Sequence, residues 1–178
     1  MTKKIFISIV LLFFSKTLYA TGYDVFGIGI YDLKFDGSET NQATDLRYER
    51  RFGNSIIEIG PESENFFNLK PLVGIETTSD SALYILGGIY LEDNLGTLFV
   101  GEDSNFIFTP SFAVGHYDDG DGKKLGNSIE FRTTFELSYE LENKNRIGVS
   151  FGHISNANIG DKNPGVEVLS FSIQVPFD

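Results

Sequence analysis

Residues 129–141 read Ile-Glu-Phe-Arg-Thr-Thr-Phe-Glu-Leu-Ser-Tyr-Glu-Leu. Ile129, Phe131, Phe135, Leu137, Tyr139 and Leu141 share one parity, against Glu130, Arg132, Thr134, Glu136, Ser138 and Glu140. Side chains of an extended chain alternate between two faces, so the stretch is a strand with an apolar side and a charged side. Outward from it, the same alternation recurs between turn signals. Earlier runs lie at about 23–35, 43–52, 66–78, 82–92 and 104–117, and this sixth run begins near 125. The Glu142-Asn143-Lys144-Asn145 turn leads to a seventh strand, and the connection 156–165 leads to an eighth. The segment 36–42 reads as a polar loop and 53–65 as an irregular connection. No helical period competes.

Alternation alone does not say which side is inside. A soluble sandwich or lipocalin-like barrel buries the apolar face, whereas a membrane barrel turns it to lipid and its polar face inward. The polar faces carry opposite charges in register, Asp45/Arg47/Glu49/Arg51 and Glu130/Arg132, together with many small residues. Eight strands leave room inside only for side chains, so this content suits a plugged, salt-bridged lumen. Eight is an even number, as bacterial barrels require, and it brings both termini to one side of the membrane.

The last two strands carry the chemistry. On the first, Ile147, Val149, Phe151, His153 and Ser155 share a face; on the second, Glu167, Leu169, Phe171, Ile173, Val175 and Phe177 do. A His, a Ser and a Glu thus stand on apolar faces at the loop-proximal ends of neighbouring strands. A Ser hydroxyl becomes a nucleophile when a base accepts its proton, and a carboxylate can orient that base. His153 and Ser155 are two residues apart, roughly 6–7 Å at about 3.3 Å rise per residue. Glu167 reaches the imidazole from the adjacent strand. The plain alternative is a polar cluster at a strand end, satisfied by loop backbone.

His153-x-Ser155-Asn156-Ala157 followed by Asn163-Pro164-Gly165-x-Glu167 resembles the signature of the lipid A 3-O-deacylase (PagL-like) family of outer-membrane barrels. Gly122-Lys123-Lys124-Leu125-Gly126, Ile129-Glu130-Phe131-Arg132 and Thr109-Pro110-Ser111 are similar to that family too. The resemblance covers about 105–176 and is weak before Pro71. It implies Ser155 as nucleophile, His153 as general base and Glu167 as the acid that orients it. Asn163 is the implied oxyanion donor, assisted by Asn156 or the Gly165 N–H. With it, the expected fold is all-β: an eight-stranded antiparallel transmembrane β-barrel of up-and-down topology. The site would then sit at the extracellular rim and face the outer leaflet, whose lipopolysaccharide is the implied substrate and partner. A homodimer is left open, and no cofactor or metal is called for.

Residues 1–20 read as a secretory signal peptide, with Lys3 and Lys4 before the apolar run Ile5–Phe14 and Leu18-Tyr19-Ala20 at the cleavage point. The run is too short for a spanning helix, which needs about 20 residues. The barrel domain is then 21–178, destined for the outer membrane. Of the 14 Lys and Arg, the leader holds three, leaving 11 against 25 Asp and Glu and a mature charge of −14. That balance argues against a nucleic-acid partner, whose phosphates need a basic surface. With no Cys there is neither a disulfide framework nor thiol chemistry.

Two weaker signals complete the reading. Asp119-Gly-Asp121-Gly-Lys123 has the start of a calcium loop but puts Lys where ligands belong, so it reads as an acidic turn. His116 reads as an interface or loop residue, and two scattered His do not make a zinc site. A catalytically inactive structural or adhesive barrel is the second functional reading.

Overall fold

The structure, a computed structural model, describes residues 21–34, 41–59, 67–96 and 104–178. The expected leader and most of the 36–42 loop lie outside these residues. Ten strands are described: β1 (Gly22–Tyr31), β2 (Ala43–Phe52), β3 (Ile57–Ile59), β4 (Phe67–Thr78), β5 (Leu83–Tyr90), β6 (Asp93–Asn94), β7 (Phe106–Asp118), β8 (Ile129–Glu140), β9 (Arg146–Ser155) and β10 (Val166–Phe177). Eight long strands pair antiparallel in the order β2-β1-β10-β9-β8-β7-β5-β4, and β4 pairs back onto β2 to close the barrel. The expected strand count and up-and-down order are borne out.

Three boundaries differ, each for a local reason. Strand β1 ends at Tyr31 because Asp32 turns into the left-handed region at φ 56°. Strand β8 starts at Ile129 rather than near 125, since Gly126 at φ 93° still belongs to the turn. The connection expected to be irregular contains β3, whose Ile57 and Ile59 pair with Leu69 and Phe67.

Parity divides the wall as a membrane barrel requires. Phe26, Ile28, Ile30, Ile85, Phe112, Phe135, Ile147, Phe171 and Ile173 are exposed, forming an apolar exterior. Asp45, Arg47, Glu49, Arg51, Glu76, Arg132 and Glu136 are buried inside. Asp45 accepts from Ser170 Oγ at 3.0 Å, and the other charges are paired across the lumen. Arg51 Nη1 lies 2.6 Å from Glu136 Oε1, and Arg47 Nη2 lies 3.2 Å from Glu136 Oε2. Arg132 bridges Glu49 and Glu76, at 2.7 Å from the latter. Gln174 Nε2 donates to Glu136 at 2.8 Å and Ser172 Oγ at 3.3 Å. Buried ions persist only when partners replace the water they lose.

Near one end the lumen changes character. Tyr31, Ala82, Tyr84, Tyr117, Leu125, Ile154, Val166 and Val168 pack into a buried apolar cluster. Ile154, an apolar residue on the polar parity of its strand, belongs to this cap. Tyrosine hydroxyls here find partners: Tyr31 donates to Tyr117 Oη at 2.9 Å, and Tyr84 to the Glu130 carbonyl at 2.7 Å. The cap separates the connection 156–165 from the charged interior. At the far end Gly22 pairs with Phe177, so both ends of the described chain lie opposite the cap.

Truncating Glu136 leaves two buried guanidiniums short of a counter-charge, and we expect Glu136→Ala to cost about 3–5 kcal/mol. Lys144→Ala breaks only the exposed 2.7 Å pair with Glu140 and should cost about 0–1 kcal/mol. Urea midpoints followed by heat-modifiable gel migration check both.

Candidate active site

The register of β9 and β10 places the candidate residues. His153 and Glu167 are direct cross-strand partners, as are Ile154 and Val166 beside them. Directly opposed residues carry Cβ atoms about 4.5–5.5 Å apart, within reach for a contact. The imidazole Nδ1 lies 3.2 Å from Glu167 Oε1. With a carboxylate as acceptor, Nδ1–H donates and Nε2 is left as the basic nitrogen. On its other side His153 faces Thr133 of β8, and Ser155 faces Phe131.

These side chains stand outside the barrel. The His153 side chain is 48% exposed and that of Glu167 31%, while Ile154 and Val166 between them are fully buried. Ser155 is half-buried at the end of β9. His153 and Ser155 line one exterior depression of about 330 Å³ with Phe112, Phe131, Thr133 and Ala157. The Phe112 and Phe131 rings stack with centroids 6.0 Å apart. No hydrogen bond joins the Ser155 hydroxyl to the imidazole among the described residues; the two share a face and a depression.

The connection after β9 is held tightly. Asn156 is buried; its Nδ2 donates to the carbonyls of Leu125 (2.8 Å) and Lys162 (2.7 Å), and its Oδ1 accepts from Asn158 N–H at 3.0 Å. Its own N–H donates to Asn163 Oδ1 at 3.0 Å. These bonds tie Asn156 to Lys162 and Asn163 of its own connection and to Leu125 of the preceding one, which makes it an organiser of the rim. The same bond fixes the Asn163 amide: because Oδ1 accepts, Nδ2 must point the other way as a donor. Ala157 and Asn158 take φ of 52° and 64°, giving the loop its tight return.

Gly165 closes the loop against the imidazole. It adopts φ 58°, and a Cβ there would lie 2.8 Å from His153 Cε1. Only a residue without a side chain leaves room for the ring in that position. Behind it, Lys123 Nζ donates to the Gly165 carbonyl and to Asp32 Oδ1, both at 2.7 Å. Burial pushes the Asp32 carboxyl up, but hydrogen bonds from Lys123 and Lys34 outweigh it and hold the group below its ordinary range. A depressed carboxyl contributes stability above its ordinary pKa and loses it as pH falls through the lower folded value. The Asp32 carboxylate is accordingly kept charged at neutral and mildly acid pH.

His116 pairs with Ile85 and Ile129 and is exposed outside this group. The acidic stretch after β7 is a turn, in which Asp118 Oδ1 accepts from Gly120 N–H and the Asp119 carbonyl from Gly122 N–H. Phe112, Thr133, Lys123 and Asp32 entered no sequence-level site. Parity within the fifth and sixth runs could have found the first two. For Lys123 the signal was its place in the Gly-Lys-Lys-Leu-Gly motif.

Comparison with known proteins gives concordant results. The crystal structure of the outer-membrane enzyme PagL superposes with a TM-score of 0.59 at 15% identity, covering 87% of this chain and 99% of that one. The Neisserial surface protein A gives 0.51 at 12% identity, over 88% and 96% of the two chains. At such identities these likenesses speak for the fold. The lipid A deacylase PagL of Bordetella bronchiseptica is 33% identical over 55 residues, 31% of this chain and 31% of that protein. The chain thus matches about a third of that relative's length. A family profile described as lipid A 3-O-deacylase (PagL) matches residues 68–176. A profile match over most of the chain, on a closed barrel of matching architecture, makes this outer-membrane protein a member of the lipid A 3-O-deacylase (PagL) family.

Proposed function

We propose that the protein hydrolyses the ester-linked acyl chain at the 3-position of lipid A, with Ser155, His153 and Glu167 as its catalytic triad. The observation that carries this reading is the His153 Nδ1–Glu167 Oε1 contact of 3.2 Å on the lipid-facing wall, two residues from Ser155. An acid–base pair on an apolar exterior has little structural use, because lipid rewards no exposed charge. A lipid ester could reach it by lateral diffusion within the outer leaflet, without entering the capped lumen.

In the proposed reaction Nε2 of His153 takes the Ser155 proton as the oxygen attacks the ester carbonyl. Asn163 Nδ2, with the Gly165 N–H, holds the oxyanion while Glu167 steadies the imidazolium. The imidazolium returns its proton to the departing sugar hydroxyl. Water, deprotonated by the same nitrogen, then releases the fatty acid from Ser155. The depression lined by Phe112 and Phe131 offers the acyl chain an apolar bed beside the nucleophile. Every group named comes from one chain, so the chemistry does not require a second copy. Residues 1–20 serve, in this reading, as the export signal for the 21–178 barrel.

Mass spectrometry of lipid A from cells carrying the protein tests the proposal. Ser155→Ala, His153→Ala and Glu167→Ala should each abolish 3-O-deacylation while heat-modifiable migration persists. Normal product from a folded Ser155→Ala protein would favour the inactive structural barrel instead. Asn163→Ala should lower turnover about 10²–10³-fold. Gly165→Ala should displace the imidazole and remove activity from a barrel that still folds.

A further inference from the structure

The Gly122-Lys123-Lys124-Leu125-Gly126 segment takes no part in the acyl transfer, yet it lies against the back of the site. Its two lysines are unlike each other. The Lys124 side chain is 85% exposed, 4.0 Å from Asp119, whereas the Lys123 side chain is 12% exposed. Lys123 is aimed by its surroundings: Tyr117 Oη donates to its carbonyl at 2.9 Å and receives the Tyr31 hydroxyl at 2.9 Å. Its ammonium meets two acceptors at 2.7 Å, the carboxylate of Asp32 and the carbonyl of Gly165.

Both acceptors are tied to the proposed triad. Gly165 is the surface on which the imidazole rests, a Cβ there falling 2.8 Å from His153 Cε1. Asp32 is buried at φ 56°, and this turn carries the next residue, Leu33, to donate its N–H to the Glu167 carbonyl at 2.9 Å. The backbones beside the imidazole and beside its acid are thus braced from two other connections of the barrel. A charge-assisted bond to a carbonyl is shorter and stronger than a neutral one, which suits a strut that must hold a loop still.

We infer that Lys123, anchored by Asp32, is a positioning residue: it fixes the Gly165 peptide and, through it, the His153 ring relative to Ser155 and Glu167. The inference rests on the triad proposed above. Lys123 touches no part of the reacting ester. Losing it should loosen the geometry of attack and leave lipid binding unchanged. A displacement of about 1 Å at a reacting centre can cost on the order of 10²-fold.

The test uses the full-length barrel in mixed micelles of lipid A and detergent, with steady-state kinetics and the rate at which a fluorophosphonate labels the protein. Lys123→Met should lower kcat about 10–100-fold and slow labelling in parallel, with KM within about twofold. Lys123→Arg, which still offers two donors, should recover much of both rates. Asp32→Asn, which keeps the size of the side chain and removes its charge, should lower kcat in the same direction. Wild-type kcat in folded Lys123→Met or folded Asp32→Asn overturns the inference, as does a loss expressed in KM alone. If Lys123→Met fails to show heat-modifiable migration, Asp32→Asn decides. Ser155→Ala is run alongside: residual deacylation there defeats the triad itself, whereas an inactive Ser155→Ala beside a fully active Lys123→Met defeats only the strut.

Discussion

Hydrocarbon offers a peptide group no hydrogen-bond partner, so a sheet that crosses it must satisfy every ladder position within itself. Here that constraint is met by the β2–β4 pairing, which joins the two ends of an otherwise open sheet. Closure then dictates the rest of the architecture. With eight strands the interior has room for side chains and little else, and whatever points inward must be neutralised there. Arg47, Arg51 and Arg132 interleave with Glu49, Glu76 and Glu136 for this reason, each ion held by a counter-charge on another strand.

The interior has two regions. Charge fills the middle, while an apolar cap of Tyr31, Tyr117, Leu125, Ile154, Val166 and Val168 fills the end next to the 156–165 connection. Because Ile154 and Val166 point into the cap, their neighbours His153, Ser155 and Glu167 point out. The same alternation that seals the lumen therefore presents the polar group to lipid. The connections over the cap are fastened to one another by Asn156 and Lys123, whose bonds cross from loop to loop. The rim is firm because its polar backbone groups are claimed by side chains where the sheet ends.

Much of this is readable in residue order where one strand's parity suffices. The run from Ile129 to Leu141 gave the strand, its two faces and the charged content of the interior. His153, Ser155 and Glu167 stood on one parity of the last two strands, and the register then put His153 opposite Glu167. Reading failed where the deciding contact joins distant segments. The short strand β3 takes its partners from β4 rather than from any pattern of its own. Asn156 follows Ser155 in sequence, but residue order does not show that its amide is drawn inward to the carbonyls of Leu125 and Lys162.

Local alternation, turn residues and charge placement by themselves determined the strand count, the polarity of each face and the placing of a His, a Ser and a Glu on one wall. These follow from a period of two, a property of neighbours along the chain. Only the tertiary structure decided that Asp32, from the connection after β1, and Lys123, from the one after β7, stand behind Gly165. Those residues are 91 positions apart, and Lys123 is 42 from Gly165. No local rule links them; the closed barrel does, by gathering the ends of its strands around one rim.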